Sequence, residues 1–313
     1  MIETSSLTSL EQAGFKKVSI ACGNFDGLHI GHREIIKKLI EVSDKNGSQP
    51  VVLTFYPHPR EVLTGVKVQN LTSNSTKHKL LKELGVSALV TVPFTKEFAS
   101  QKAELFVDNF LLANQLKICD LCVGADWRFG KDRSGNVDFL TSGNWGFEVH
   151  PVMELNDERG VISSSRIRKA LNEGNFDFAE QLLGRRYSVS GKVIKGKGIA
   201  QSQLNFPTAN IETSGLYLPL AGVYTCEVSI ENSEKWLPAV CNIGYAPTFG
   251  GDDSRPASLE VHILNFSENL YGKILEVAFT SFLRAEQKFD SPVHLKKQIE
   301  RDVIAAKDYF SIS

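Results

Sequence analysis

Apolar positions in the first half of the chain fall into short continuous runs separated by segments of helical periodicity. Val18–Ala21, Val51–Phe55, Ala88–Val92 and Ile118–Val123 have the length and apolar density of buried strands. Between them, His32–Ser43, Thr76–Leu84 and Glu104–Leu116 repeat apolar residues at helical spacing. That alternation predicts an α/β domain built on a doubly wound parallel sheet. Near Arg185 the pattern changes. Ser188–Ile194, Gly222–Val228, Leu237–Val240, Leu259–Leu264 and Ile274–Phe279 are short, β-branched runs divided by Gly, Pro and Asn clusters. They predict a small antiparallel β-barrel. A closing helix is expected over Val293–Phe310, with Leu295, Ile299, Val303 and Ala306 or Tyr309 on one stripe. The expected division is 1–184 and 185–313.

Ligands of doubly wound sheets bind beyond the carboxyl ends of the strands, and three loops there carry chemistry. The first is Gly23-Asn24-Phe25-Asp26-Gly27-Leu28-His29-Ile30-Gly31-His32, between the first strand and a helix with Ile35, Ile36, Leu39 and Ile40 on one face. Its glycines permit close backbone approach, and the helix N-terminus offers unpaired N–H groups. Two imidazoles at that point can donate hydrogen bonds to nucleotide phosphates. The other loops are Phe55-Tyr56-Pro57-His58-Pro59-Arg60 and Gly124-Ala125-Asp126-Trp127-Arg128-Phe129-Gly130. Downstream, Ile162-Ser163-Ser164-Ser165-Arg166-Ile167-Arg168 leads into a helix expected over Ser165–Asn172. Its hydroxyls and guanidinium could close over a triphosphate, although helix capping is the plainer use of such serines.

Composition narrows the partners. The 313 residues are 42% hydrophobic and 23% charged, with Lys+Arg 35 against Asp+Glu 36 and a net charge of −1. That balance supplies no attraction for nucleic acid or an acidic membrane. No apolar run is long enough to span a bilayer, and Met1–Leu10 lacks the basic and apolar blocks of a signal peptide, so a cytoplasmic protein is expected. The cysteines number five. Cys119 and Cys122 form a C-x-x-C, but an odd separation within a strand points them to opposite faces, so reduced thiols are expected rather than a redox or zinc site.

The string His29-Ile30-Gly31-His32 is shared by class I aminoacyl-tRNA synthetases and small nucleotidyltransferases. A synthetase would need a lysine-bearing loop where Ile162–Arg168 has none, and a basic tRNA surface. Taken together, the three loops and the Ile162–Arg168 segment resemble the bacterial FAD synthetase module, which adenylylates FMN with ATP and Mg²⁺. The resemblance implies a nucleotidyltransferase-like fold. It implies that Asp26, His29 and His32, with Gly23, Asn24, Phe25 and Gly31, act on ATP, and that Ser164, Ser165 and Arg168 close over the phosphates. His58, Pro59, Asp126 and Arg128 would line the flavin side. Trp127 and Ser165 stand where the family commonly has Phe and Thr.

In the second half, a loop bearing Gly196 and Gly198 precedes Asn205-Phe206-Pro207-Thr208-Ala209-Asn210. Loop glycines can wrap phosphates, and the Thr208 hydroxyl and Asn210 amide are hard oxygen ligands suited to Mg²⁺. Glu260 alternates with apolar neighbours in Leu259–Leu264, on the same face as His262; a solvent-facing carboxylate is the ordinary reading of that pattern. These strings, with Asn242-Ile243-Gly244-Tyr245-Ala246-Pro247-Thr248-Phe249, Asn269–Gly272 and Phe282–Phe289, resemble riboflavin kinase, a six-stranded barrel with a terminal helix. The resemblance implies Thr208 and Asn210 on Mg²⁺, Glu260 as general base and Arg284 beside the flavin. The loop departs from the family: Ala200 and Asn205 replace glycines and Gln201 replaces an arginine, which should weaken its hold on the nucleotide.

The resemblance runs from about Val18 to Phe310 and implies a bifunctional riboflavin kinase and FAD synthetase. Its small-molecule partners would be riboflavin, FMN and ATP, with neither nucleic acid nor membrane, in a monomer or weak homo-oligomer. Two alternatives stay open at this point: retention of one activity only, or a flavin-sensing regulator on the same fold.

Overall fold

The computed structural model describes all residues except 114, 196–205, 232, 245–257 and 313. Contacts gather the chain into two compact units, Met1–Gln69 with Asn74–Ser163, and Asn70–Ser73 with Ser164–Ser313.

In the first unit the elements are β1 (Ile2–Thr4), α1 (Leu7–Gln12), β2 (Lys17–Cys22), α2 (Ile30–Asn46), β3 (Gln49–Tyr56), α3 (Pro59–Thr64), α4 (Asn74–Glu83), β4 (Ala88–Pro93), α5 (Lys96–Ala99), α6 (Ala103–Phe106), β5 (Lys117–Gly124), α7 (Val137–Ser142) and β6 (Glu148–Val152), then the small hairpin β7 (Asn156–Asp157) and β8 (Gly160–Val161). Six strands form a parallel sheet in the order β1-β4-β3-β2-β5-β6. Both faces are covered, which is why the strands read as continuous apolar runs. Val18, Ile20 and Cys22 enter one core cluster with Phe106 and Leu121, while Ala21 faces the other way onto Ile36, Leu39 and Val42 of α2. Strand order reverses between β2 and β5, so the switch point lies beyond Cys22 and Gly124, where two of the three loops begin.

The expected helix over Glu104–Leu116 is shorter: α6 passes into a π turn over Val107–Leu111. Cys119 and Cys122 both lie on β5, the first partly exposed and the second buried, and all five cysteines are free. Burial pushes the Cys122 thiol up to about 12, which makes it a poor nucleophile and metal ligand.

The second unit adds α8 (Ser164–Asn172), α9 (Phe176–Leu183), β9 (Ser188–Ile194), β10 (Ala209–Ile211), β11 (Gly222–Ile230), β12 (Trp236–Gly244), β13 (Ser258–Ile263), β14 (Ile274–Ala285) and α10 (Pro292–Phe310). The strands close an antiparallel barrel in the order β10-β13-β12-β11-β14-β9, with β9 pairing back to β10. The sixth strand is β10, only three residues long. Helix α10 lays Val303, Ala306 and Phe310 over Val223, Val240 and Leu264; Tyr309, an alternative for that stripe, is exposed. Phe176 of α9 stacks on Phe279 at 6.0 Å and meets Tyr224 edge-on at 5.7 Å. Helices α8 and α9 therefore fold with the barrel as a compact body, although the change of sequence pattern comes later, at Gly184/Arg185.

Candidate functional sites

The turn from β2 to α2 holds an unusual backbone. Phe25 and Leu28 have φ of 49° and 41°, left-handed values that cost a residue with a Cβ of order 1 kcal/mol or more. The turn is held by its surroundings: Phe25 is 1% exposed, and the Asn24 carbonyl accepts hydrogen bonds from Thr54 Oγ1 (3.2 Å) and Lys77 Nζ (2.8 Å). His29 caps α2 by accepting the His32 N–H on Nδ1 at 3.3 Å, so its neutral ring carries the proton on Nε2. The two imidazoles stack with centroids 3.6 Å apart, and the Phe25 ring meets His32 edge-on at 5.4 Å. Burial, and then His29 and Lys77, push the His32 pKa well below its ordinary value, so this ring is neutral near pH 7. Its Nδ1 is buried and has no hydrogen-bond partner among the described residues. Asp26, also buried, begins a short turn ahead of the pair.

His58 caps α3 by accepting the Arg60 N–H at 3.1 Å, with Pro59 in the first turn, and its Nε2 lies 3.3 Å from the Asn24 side-chain amide. The structure thus joins Gly23, Asn24, Phe25, Asp26, His29, Gly31, His32 and His58 in one neighbourhood. Asp126 and Arg128 are exposed on the loop after β5, with the Asp126 carboxylate folded back toward Gly124 and the Arg128 guanidinium on the Trp127 carbonyl (3.1 Å). Trp127 stacks on Phe129 at 4.6 Å and belongs to an aromatic cluster with Phe106 and Phe98. Ser164, Ser165 and Arg168 belong to the second unit, at the start of α8. There the Arg168 guanidinium lies 5.7 Å from the Tyr217 ring centroid, and the Tyr217 hydroxyl donates to Asn172 Oδ1 at 2.6 Å.

Toward the amino ends of β5 and β6, Asp120, Glu148 and His150 bring ligand atoms within 4.8 Å of one another. Both Asp120 oxygens are taken, by Ser19 (2.5 Å), by Asn46 (2.9 and 3.1 Å) and by His150 (2.9 Å). Burial favours a raised Asp120 pKa, but those hydrogen bonds outweigh it and hold the carboxyl below its usual range. The group is a satisfied structural network, not a metal centre.

In the barrel, register places Glu260 opposite Asn210 on one side and Asn242 on the other. Leu259, Val261 and Ile263 are buried, while Glu260 and His262 share the half-exposed face, as alternation predicts. His262 Nδ1 lies 2.8 Å from the Pro207 carbonyl, which anchors the segment carrying Thr208. A cavity of about 300 Å³ is lined by Val193, Pro207, Thr208, Ala209, Val261, Ile263 and the 266–271 loop. Thr208 reaches that cavity; Asn210 and Glu260 point away from the face of Ala209 and Val261 that lines it. The Thr208 hydroxyl and the Asn210 amide are oxygen ligands of the kind a hard divalent cation takes, and register sets Glu260 beside Asn210. Gly196, Gly198 and the altered positions Ala200, Gln201 and Asn205 lie outside the described residues.

Arg284 is spoken for. Its Nε and Nη2 donate to the two oxygens of Asp302 on α10, at 2.9 and 2.7 Å, and Gln298 adds a third donor to that carboxylate. Reasoning from the sequence missed Asp302 and also Lys77, which stands in Asn74–Lys79 with nothing in its spacing to mark it.

Comparison with known proteins agrees with both halves. Residues 11–166 match the FAD synthetase family and residues 183–310 the riboflavin kinase family. Proteins named bifunctional riboflavin kinase/FMN adenylyltransferase are similar over almost the full chain. The one from Escherichia coli K12 is 35% identical over 97% of this chain and 96% of its own. The one from Pseudomonas fluorescens is 38% identical over 91% and 90%, and that from Listeria monocytogenes 36% identical over 97% and 96%. A crystal structure titled as a macrolide-efflux protein from Streptococcus pneumoniae superposes with a TM-score of 0.80 at 29% identity, over 97% of this chain and 98% of that one. No helix among the described residues of the present chain is long and apolar enough to cross a membrane. With both family matches in order and relatives above 30% identity along nearly its whole length, the chain belongs to the bifunctional riboflavin kinase/FMN adenylyltransferase family.

Proposed function

We propose that the chain makes FAD from riboflavin in two ATP-dependent steps, one in each half. The observation that supports this reading is that two separate groupings of polar side chains occur in two separately packed units: the stacked His29–His32 pair, and Glu260 in register with Asn210 and Asn242.

In the kinase step the 5′-hydroxyl of riboflavin attacks the γ-phosphorus of ATP and ADP leaves. That nucleophile must lose a proton, and Glu260 accepts it. Thr208 and Asn210 would hold Mg²⁺, which when bound neutralises phosphate charge. The cavity beside Thr208 suits the nucleotide base, and the side of Arg284, fixed by Asp302, bounds the flavin. The kinase residues fall within 185–313, whereas the body that folds around them begins at Ser164.

In the adenylylation step a phosphate oxygen of FMN attacks the α-phosphorus of ATP and pyrophosphate leaves. The nucleophile is already an anion, so no base is needed. The work is positioning and charge stabilisation by His29, His32 and the amide N–H groups of Gly23–His32; a phosphate-binding role for Ser164, Ser165 and Arg168 rests on the family resemblance alone. His58, Pro59, Asp126 and Arg128 flank the flavin.

The direct test incubates the protein with riboflavin, ATP and Mg²⁺ and separates the flavins. Sequential appearance of FMN and then FAD is expected. Riboflavin left unchanged, together with no FAD from supplied FMN, would reject the reading.

A further inference from the structure

Helix α4 brings Lys77 to the back of the phosphate turn. Its ammonium is half-buried and donates to the Asn24 carbonyl at 2.8 Å, the same oxygen that Thr54 grips at 3.2 Å. That contact spends one of three N–H donors on a neutral acceptor. A cation taken out of water needs counter-charge, and Asp26, which attracts it, is a single negative group. An ATP polyphosphate carries several negative charges and would sit on this turn. The titratable groups facing this corner are Asp26 from the short turn, His29 and His32 from the start of α2, His58 at the start of α3, and Lys77 from α4.

We infer that Lys77 is a third phosphate-binding cation of the adenylylation site, contacting the polyphosphate of ATP and stabilising the pyrophosphate as it leaves. The inference rests on the proposed adenylylation site. In the step, the bond from the FMN phosphate oxygen to the α-phosphorus forms, and the bond from the α-phosphorus to the bridging oxygen breaks. The electron pair departs with pyrophosphate, and Lys77 keeps its proton throughout. Its charge does a second thing: with burial and His29 it holds His32 neutral, so the hydrogen-bonding state of that ring is set partly by Lys77. Burial in turn lowers the pKa of Lys77 itself, with Asp26 opposing. The cation is therefore lost at a lower pH than an ordinary lysine would lose it.

The test measures kcat/KM for ATP in FMN adenylylation across pH for the wild type, Lys77→Met, Lys77→Arg and His32→Ala, with riboflavin phosphorylation by the same preparations as the folding control. Lys77→Met should lower adenylylation about 100-fold, the usual effect of removing one preorganised charge donor, and leave phosphorylation unchanged. The wild-type profile should fall on its alkaline side below the ordinary lysine pKa of about 10.4. Lys77→Arg should keep a tenth or more of the activity and move that fall to higher pH, which a purely structural lysine would not do. Lys77→Met within threefold of wild type, or an alkaline limb unmoved in Lys77→Arg, overturns the inference. If Lys77→Met fails to fold, the arginine profile alone decides. Full activity in His32→Ala would instead reject the site on which the inference rests.

Discussion

A single methyl group placed at Gly31 separates catalysis from stability. Gly31 lies in the first turn of α2, where alanine is favoured over glycine by up to about 1 kcal/mol. A Cβ there would stand 3.3 Å from His29 Nδ1, 3.4 Å from Cε1 and 3.9 Å from the Ile162 carbonyl oxygen. The first two contacts are tighter than a relaxed carbon contact of about 3.5–4.0 Å, so the imidazole must give way by a few tenths of an ångström. It has little room: the ring is 5% exposed, stacked at 3.6 Å on His32, and tied through Nδ1 to the His32 N–H. A shift of that size costs roughly 0.5–1 kcal/mol of packing and capping, which cancels most of the helix gain. The net change in stability should be within about 1 kcal/mol of zero. Catalysis has no such compensation: displacement of a phosphate-binding group by about 1 Å costs on the order of 100-fold, so a few tenths of an ångström should cost about 3–10-fold. Gly31→Ala should therefore lower FMN adenylylation by about 3–10-fold, with a melting curve moved by a few degrees at most and unchanged riboflavin phosphorylation. Adenylylation within twofold of wild type, at unchanged stability, would refute the claim that His29 must sit where it does.

Two further outcomes follow from the second unit. A fragment from Gly184 to Ser313 loses α9, whose Phe176, Leu182 and Leu183 are buried, and the Asn70 backbone bonds to Gly215 and Tyr217. At about 1.5–3 kcal/mol per buried side chain the loss rivals a domain's whole stability of roughly 5–15 kcal/mol. The fragment should be insoluble or lack a cooperative melt, whereas one from Ser164 should fold better; equal melts for both would contradict this. Asp302→Asn leaves the partly buried Arg284 guanidinium half-paired, so about 1–2 kcal/mol should be lost in denaturant titration. It should also raise the riboflavin KM while FMN adenylylation stays unchanged; an unaltered riboflavin KM would separate this pair from the flavin side.

The βα alternation, the barrel strands and the Gly23–His32 turn were legible because each is a local signal: periodicity, β-branching and glycine placed before a helix. What escaped was short or non-local. β1 and β10 are three residues each, and their existence is decided by the neighbour they pair with. β6 contains Pro151 and His150 and lacks an apolar run. The segment around Phe106 carries apolar residues on all sides. A π turn there accommodates the stacking of Phe106 on Phe110 at 5.4 Å, which periodicity cannot foresee. Lys77 reads as one of several helix lysines until the Asn24 carbonyl is beside it, and nothing local to Arg284 reveals Asp302, its partner on another element. Conversely, Glu260, which alternation alone leaves as a half-exposed carboxylate, stands in register with two asparagines on neighbouring strands, a pairing that no local signal shows.

The most direct measurement of the two-site account is a paired product analysis of His32→Ala and Glu260→Gln, each given riboflavin, ATP and Mg²⁺ or FMN, ATP and Mg²⁺. His32→Ala should convert riboflavin to FMN and stop, with adenylylation lowered by about 10²–10³-fold. Glu260→Gln should make FMN about 10²–10⁴-fold more slowly and yet turn supplied FMN into FAD at the wild-type rate. Mixed together, the two folded variants should restore FAD formation from riboflavin. Loss of both activities in either folded variant, or riboflavin phosphorylation by Glu260→Gln within a few-fold of wild type, would contradict the account.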